Sequence, residues 1–156
     1  MHPNVQLIER LYSALCDGNP DAAALCYAHD AHFQDIAFSL DGRESIRQMW
    51  RLVSSRKVQV TFDSLTADDR QGAGHWVADY TFSDTGRPVV NDIRSRFAFR
   101  EGLIVDHRDE CDAWSWANQA YPFPKNLLVG LIGPLRRFGA RKKLEEFIRE
   151  NPETFT

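Results

Sequence analysis

Cysteine is scarce and unpatterned in this sequence. Cys16, Cys26 and Cys111 stand far apart, with no C-x-x-C spacing. Such an odd, sparse set excludes a disulfide framework and a zinc site, and fits small buried side chains in a reducing compartment. Long apolar runs are also missing. The longest, LLVGLIGPL at 127–135, is too short to span a bilayer and holds two glycines and a proline. The N-terminal MHPNVQLIER has no basic stretch followed by an apolar one, so no signal peptide is expected. Excess positive charge is absent too. The net charge is −3 with mixed signs, which gives no basis for nucleic acid as a partner. No internal repeat or low-complexity tract is present. The expectation is a cytoplasmic protein without a membrane span.

What is present is material for a core. The 156 residues suit one domain, and 43% hydrophobic with 12% aromatic content excludes disorder. Pro3 sits near the start of a first helix, along which Val5, Leu7, Ile8, Leu11, Tyr12 and Leu15 recur at helical spacing. Asp17-Gly18-Asn19-Pro20 stops it. Asp21 to Ala28 predict a short second helix, and 31–38 an early strand. Ser39-Leu40-Asp41-Gly42 reads as a turn, and Arg43 to Ser55 as a third helix with Ile46, Met49, Trp50 and Val53 on one stripe.

From Val58 the period changes to two. GAG at 72–74 and SDTGRP at 83–88 read as turns between strands. Inner faces are expected to carry Trp76, Ala78, Tyr80 and Phe82, then Ile93, Ser95, Phe97 and Phe99, then Val105, His107, Asp109 and Cys111. The early strand adds Phe33, Asp35 and Ala37. Helices followed by a meander predict an α+β fold, with helices on one face of a curved antiparallel sheet. Residues 1–120 form the expected domain. Residues 121–156 form a C-terminal helical extension packed on it, with a short helix at Ala113 to Ala120 before it and a basic amphipathic helix from about Arg136 to Glu150. Its RRFGARKK run reads as a solvated face balanced by Glu145, Glu146 and Glu150, with contact to acidic lipid as the other reading. Segment 127–135 either closes a pocket mouth or joins an oligomer.

A concave apolar sheet with a few inward polar groups is the makeup of a small-molecule pocket. Asp35 and Asp109 are the carboxylate candidates, with His107 beside the second. Burial raises a carboxylate's pKa, and a carboxylate near neutrality is a competent general base. Structural roles compete with these. His107 and Asp109 can pair to hold a strand end, and Asp35 can cap a turn. Trp50, Trp76, Tyr80, Ser95 and Phe97 are either core or ligand contacts. His75 and Asp79 fall on the face opposite His107 and Asp109, so no metal site is expected.

The stretches AHDAHFQD, DGRESIRQMW and GLIVDHRDECDAW, in this order, resemble the nuclear-transport-factor-2-like superfamily over roughly residues 4–118. The nearer likeness is to its SnoaL-like and ketosteroid-isomerase-like branch. The resemblance implies a cone-shaped α+β barrel with an apolar pocket, often a homodimer through the outer sheet face, here carrying Arg94 and Arg96. AHDAHFQD matches the isomerase A-x-D-A-x-x-x-D pattern and puts Asp35 at the base position. The isomerase tyrosine position falls on Leu11, with Tyr12 adjacent and expected to point elsewhere, and the acid position falls on Ser95. GLIVDHRD matches the last-strand pattern of SnoaL-type cyclases and of epoxide hydrolases, with Asp109 as the aspartate and His107 in a tryptophan position. The additional Arg and Asp of the epoxide hydrolases fall on Trp76 and Ala78. What the resemblance implies is an isomerase or cyclase acting on a hydrophobic carbonyl substrate without metal or redox cofactor. A non-catalytic binder of hydrophobic ligands and a dimeric interaction module are the alternatives.

Overall fold

The computed structural model describes residues 1–152. Helix α1 (Pro3–Cys16) begins where His2 Nδ1 accepts from the Asn4 amide at 3.0 Å and Pro3 presets the first turn. It ends at Asp17, with Gly18 at φ +64° carrying the chain out in the left-handed region. Leu7, Ile8, Leu11, Tyr12 and Leu15 are all buried. Each such apolar side chain contributes about 1.5–3 kcal/mol.

The second helix is shorter than its sequence suggests: α2 covers Pro20–Ala24, and Tyr27 and Ala28 already belong to β1 (Tyr27–Gln34). Sheet pairing wins over helix propensity there, since Cys26 O accepts from the Ile104 amide at 3.0 Å. Strand β1 ends at Gln34, so Asp35 and Ala37 lie in a loop rather than in the strand. Asp35 N donates to Phe38 O at 2.9 Å, and Asp35 Oδ1 accepts from the amides of Ala37 and Phe38 at 2.7 and 2.6 Å. This tight turn brings Ser39–Asp41 back against β1 as a short strand, β2, where the sequence suggests a turn. Helix α3 (Arg43–Ser55) follows.

The remaining strands are β3 (Gln59–Ala67), β4 (Gln71–Phe82), β5 (Arg87–Arg100) and β6 (Leu103–Glu110). The six-stranded, unclosed sheet has the order β2-β1-β6-β5-β4-β3, antiparallel except for the parallel β1–β6 pair. The GAG segment is not a turn: it lies within β4, and the reversal falls at Asp68, whose side chain accepts from the amides of Arg70 and Gln71. Here glycine is needed for space. A Cβ at Gly74 would stand 3.0 Å from the Tyr12 hydroxyl, and one at Gly72 2.9 Å from the Phe99 ring. Strand β4 therefore lies close under α1, whose Ile8 also comes within 3.0 Å of a Cβ at Gly72. Gly74→Val is expected to destabilise the protein by about 1–3 kcal/mol through overpacking, read from the shift of its urea midpoint. An unshifted midpoint would show that α1 is free to move away.

Strand β6 carries one residue more than its partner between the pairs Ala98–Asp106 and Phe99–Ile104. The irregularity flips the alternation, so Ile104 is fully buried and Val105 only half-buried, opposite to simple period two. Helices α4 (Ala113–Ala120), α5 (Lys125–Leu131) and α6 (Gly133–Glu150) complete the chain. Helix α6 starts three residues earlier than its charge pattern suggests, with Pro134 in its first turn. It is strapped to the Asp35 turn: Arg136 Nε donates to Ile36 O at 2.7 Å and Arg137 Nη1 to Phe38 O at 3.3 Å.

Candidate functional site

Register assembles the site. Gly74 lies opposite Ser95, and Ser95 opposite Asp109, so one row runs across β4, β5 and β6. The empty place above Gly74 admits Tyr12 from α1. Its hydroxyl donates to Ser95 Oγ at 2.6 Å, and Ser95 donates to Asp109 Oδ1 at 2.5 Å. The next row sets Phe97 and Phe33 on either side of His107. His107 Nε2 lies 2.7 Å from Asp109 Oδ1, its Nδ1 lies 2.7 Å from the Tyr27 hydroxyl, and Trp50 Nε1 donates to that hydroxyl at 3.3 Å.

Donor chemistry gives this chain a direction. An indole N–H only donates. Tyr27 accepts it and donates its own O–H to His107 Nδ1, which leaves Nε2–H to donate to Asp109. Burial pushes the Tyr12 and Tyr27 phenols far above their ordinary pKa, so both stay protonated donors. Two branches thus converge on one oxygen, Asp109 Oδ1. Among the described residues Oδ2 takes no hydrogen bond.

Asp109 also lines a cavity of about 380 Å³. The sheet contributes Phe33, Trp76, Ala78, Tyr80, Asn91 and Ile93 to its wall, Cys111 follows just after β6, and α3 with its C-terminal cap contributes Met49, Trp50, Val53 and Arg56. Helices α5 and α6 close one side with Val129, Leu135, Arg136 and Lys143. Asp35 stands in the same wall. Its carboxylate, like that of Asp109, is held through Oδ1 alone. Desolvation is the main influence on Asp35, which is half-buried in the wall of this largely apolar cavity. The turn amides pull its pKa back and the charge of Asp109 adds to the rise, leaving it at about 6. Trp76 supplies a further polar atom. Its indole Nε1 is buried and meets no acceptor among the described residues. The Tyr80 hydroxyl, by contrast, accepts from Trp116 Nε1 at 2.9 Å.

The expected site residues separate into two groups. Asp109, Asp35, Trp50, Trp76 and Tyr80 line the cavity. His107, Ser95 and Phe97 do not. They are buried behind the wall, with His107 fully enclosed by Phe33, Phe97, Tyr27 and Trp50. The expectation that Tyr12 points elsewhere is wrong: it is fully buried, stacks on Phe62 and bonds Ser95. Sequence reasoning missed Tyr27, because a residue expected in a helix carries no strand face. It missed Arg136 as a cavity residue, because nothing local tells which way a C-terminal extension folds back; Val129, in the segment 127–135 expected either to close a pocket mouth or to join an oligomer, lines the cavity. Arg94 and Arg96 are exposed, on the convex face of the sheet.

Residues 8–107 match the protein family described as a SnoaL-like domain. No curated protein matches the chain. Solved structures with the same fold include a Catenulispora acidiphila protein of ketosteroid-isomerase-like fold in complex with trimethylamine. It is 18% identical at a TM-score of 0.65, covering 74% of this chain and 92% of that one. A candidate polyketide cyclase from Xanthomonas campestris pv. campestris is 18% identical at a TM-score of 0.65, covering 76% and 97%. IdmH, a candidate polyketide cyclase from Streptomyces antibioticus, is 22% identical at a TM-score of 0.62, covering 76% and 98%.

Proposed function

The chain belongs to the SnoaL-like domain family, and from that premise we propose that it moves protons on a hydrophobic carbonyl compound, as an isomerase or cyclase needing no metal or redox cofactor. The observation that carries this is the pair of carboxylates, Asp35 and Asp109, each held through one oxygen in the wall of a largely apolar cavity. A base with a pKa of about 6 is ionised at neutral pH, yet its conjugate acid is strong enough to return the proton. Asp35 takes the proton next to the carbonyl. Asp109, fixed by Ser95 and His107, is the second carboxylate and serves the distal carbon or a hydroxyl. His107 acts as a positioning residue for Asp109. The candidate cyclases among the structural relatives are consistent with this substrate class.

A second reading, ligand binding without turnover, draws on one feature. The Tyr12 hydroxyl is committed to Ser95 and is not in the cavity wall, so the oxyanion donors of the isomerases are not presented to a ligand. One experiment separates the readings. With the two-ring ketone 2-tetralone in D2O, NMR should show exchange of the protons next to the carbonyl well above the buffer rate, together with quenching of cavity tryptophan fluorescence. Quenching without added exchange would favour the binder.

A further inference from the structure

From Ala113 to Leu144 the sequence holds six cations and no carboxylate side chain, within a chain of net charge −3. The same stretch holds the largest run of exposed apolar side chains. Phe123 is 78% exposed, Leu131 75% and Phe138 58%, with Leu128, Ile132 and Leu135 also open. Within α6, Leu135, Phe138 and Lys142 follow at intervals of three and four and share one face. Four of the cations are engaged: Arg136 and Arg137 hold the Asp35 turn, Lys143 pairs with Asp84, and Lys125 lies over the Tyr121 ring. Arg141 and Lys142 are exposed and make no ion pair or hydrogen bond among the described residues. A solvated helix face accounts for the charges. It does not account for the leucines and phenylalanines between them, because water offers these nothing.

We infer that this ridge, from Phe123 to Lys142, docks on an anionic lipid surface, with the apolar side chains in the acyl boundary and Arg141 and Lys142 at the headgroups. Charge decides the occupant. A second copy of this chain would bring the same cations against one another, whereas an acidic bilayer meets both the apolar and the cationic parts. Among the described residues no helix is long and apolar enough to cross a membrane, so the contact is interfacial. Leu135 belongs to both features: it is 45% exposed on the ridge and lines the cavity. Docking therefore turns the α5–α6 side of the cavity toward the lipid, from which an apolar ligand can partition. This contact stands whether or not the cavity turns anything over.

The test is sedimentation of the full chain with vesicles of phosphatidylcholine alone, or mixed equally with phosphatidylglycerol, at low and high salt. Binding is expected to the mixed vesicles, at least about tenfold above the neutral ones, and to weaken with salt. Leu131→Ser with Phe138→Ser should abolish it, and Arg141→Gln with Lys142→Gln should reduce it about tenfold. All four positions are exposed, so far-ultraviolet circular dichroism should be unchanged. Absence of binding to the mixed vesicles, or equal binding to both kinds, overturns the inference. So does a dimer by light scattering that the serine variant converts to monomer while the vesicles bind nothing, because the ridge would then belong to a second copy.

Discussion

Asp35→Asn is expected to slow 2-tetralone proton exchange by about 10²–10⁴-fold while making the protein more stable at pH 8. Both effects come from one displaced pKa. In the fold Asp35 titrates at about 6, against an ordinary value of 3.8. Between those values the folded chain keeps a proton that the unfolded chain has lost. Its contribution to stability is therefore whole below about pH 4 and declines as pH rises through about 6. Above that, holding the charge against the cavity wall costs about 2 kcal/mol. Asparagine keeps the Oδ1 acceptor for the amides of Ala37 and Phe38 and removes the charge. Urea melts should show the variant ahead of wild type by about 1–2 kcal/mol at pH 8 and level with it at pH 4. Exchange by the wild type should rise with pH through about 6. Equal stability differences at both pH values would mean that Asp35 is not desolvated, and the assignment of the base would fail with it.

The second large effect concerns the convergence on Asp109. Asp109→Ala leaves the Ser95 hydroxyl and the His107 N–H without their acceptor, where water has little access: Ser95 is 1% exposed and His107 not at all. Each orphaned donor costs about 1–3 kcal/mol, so a loss of about 3–4 kcal/mol is expected, a fall in melting temperature on the order of 10 °C. Asp109→Asn retains an acceptor oxygen for both donors and puts an amide where Oδ2 was, so it should cost less than about 1 kcal/mol. It should still lose exchange activity. The contrast matters more than either value. If alanine were as stable as asparagine, the Tyr12–Ser95 and Tyr27–His107 branches would not be holding this carboxylate. If asparagine exchanged protons as wild type does, Asp109 would be structural and Asp35 would act alone.

How much of this was legible in advance depends on how far apart in the chain the cause lies. The stripe Leu7, Ile8, Leu11, Tyr12 and Leu15, the bounds of α3 and α4, and the alternation of Trp76, Ala78, Tyr80 and Phe82 follow from period and punctuation. Those are local properties of backbone geometry. The likeness of AHDAHFQD and GLIVDHRD to family patterns singled out Asp35, His107 and Asp109. Sequence alone thus determined an α+β chain with an apolar interior, two carboxylates and a histidine set into it, and a basic run, RRFGARKK, in its C-terminal helix.

Only the tertiary structure decided what each of these does. Gly72 and Gly74 look like turn residues until α1 descends onto β4 and needs their missing side chains. The extra residue at Val105 reverses the expected faces of Ile104 and Val105, because register is set by the partner strand and not by the strand itself. Tyr12 meets Ser95 across 83 positions of chain and Tyr27 meets His107 across 80, so no spacing rule could pair them. The same applies to Arg136, which reaches back 100 positions to the Asp35 turn and brings α6 over the cavity. Local sequence sets which faces are apolar. The site exists because packing those faces together forces particular buried polar groups into the same dry volume, where each must find a partner.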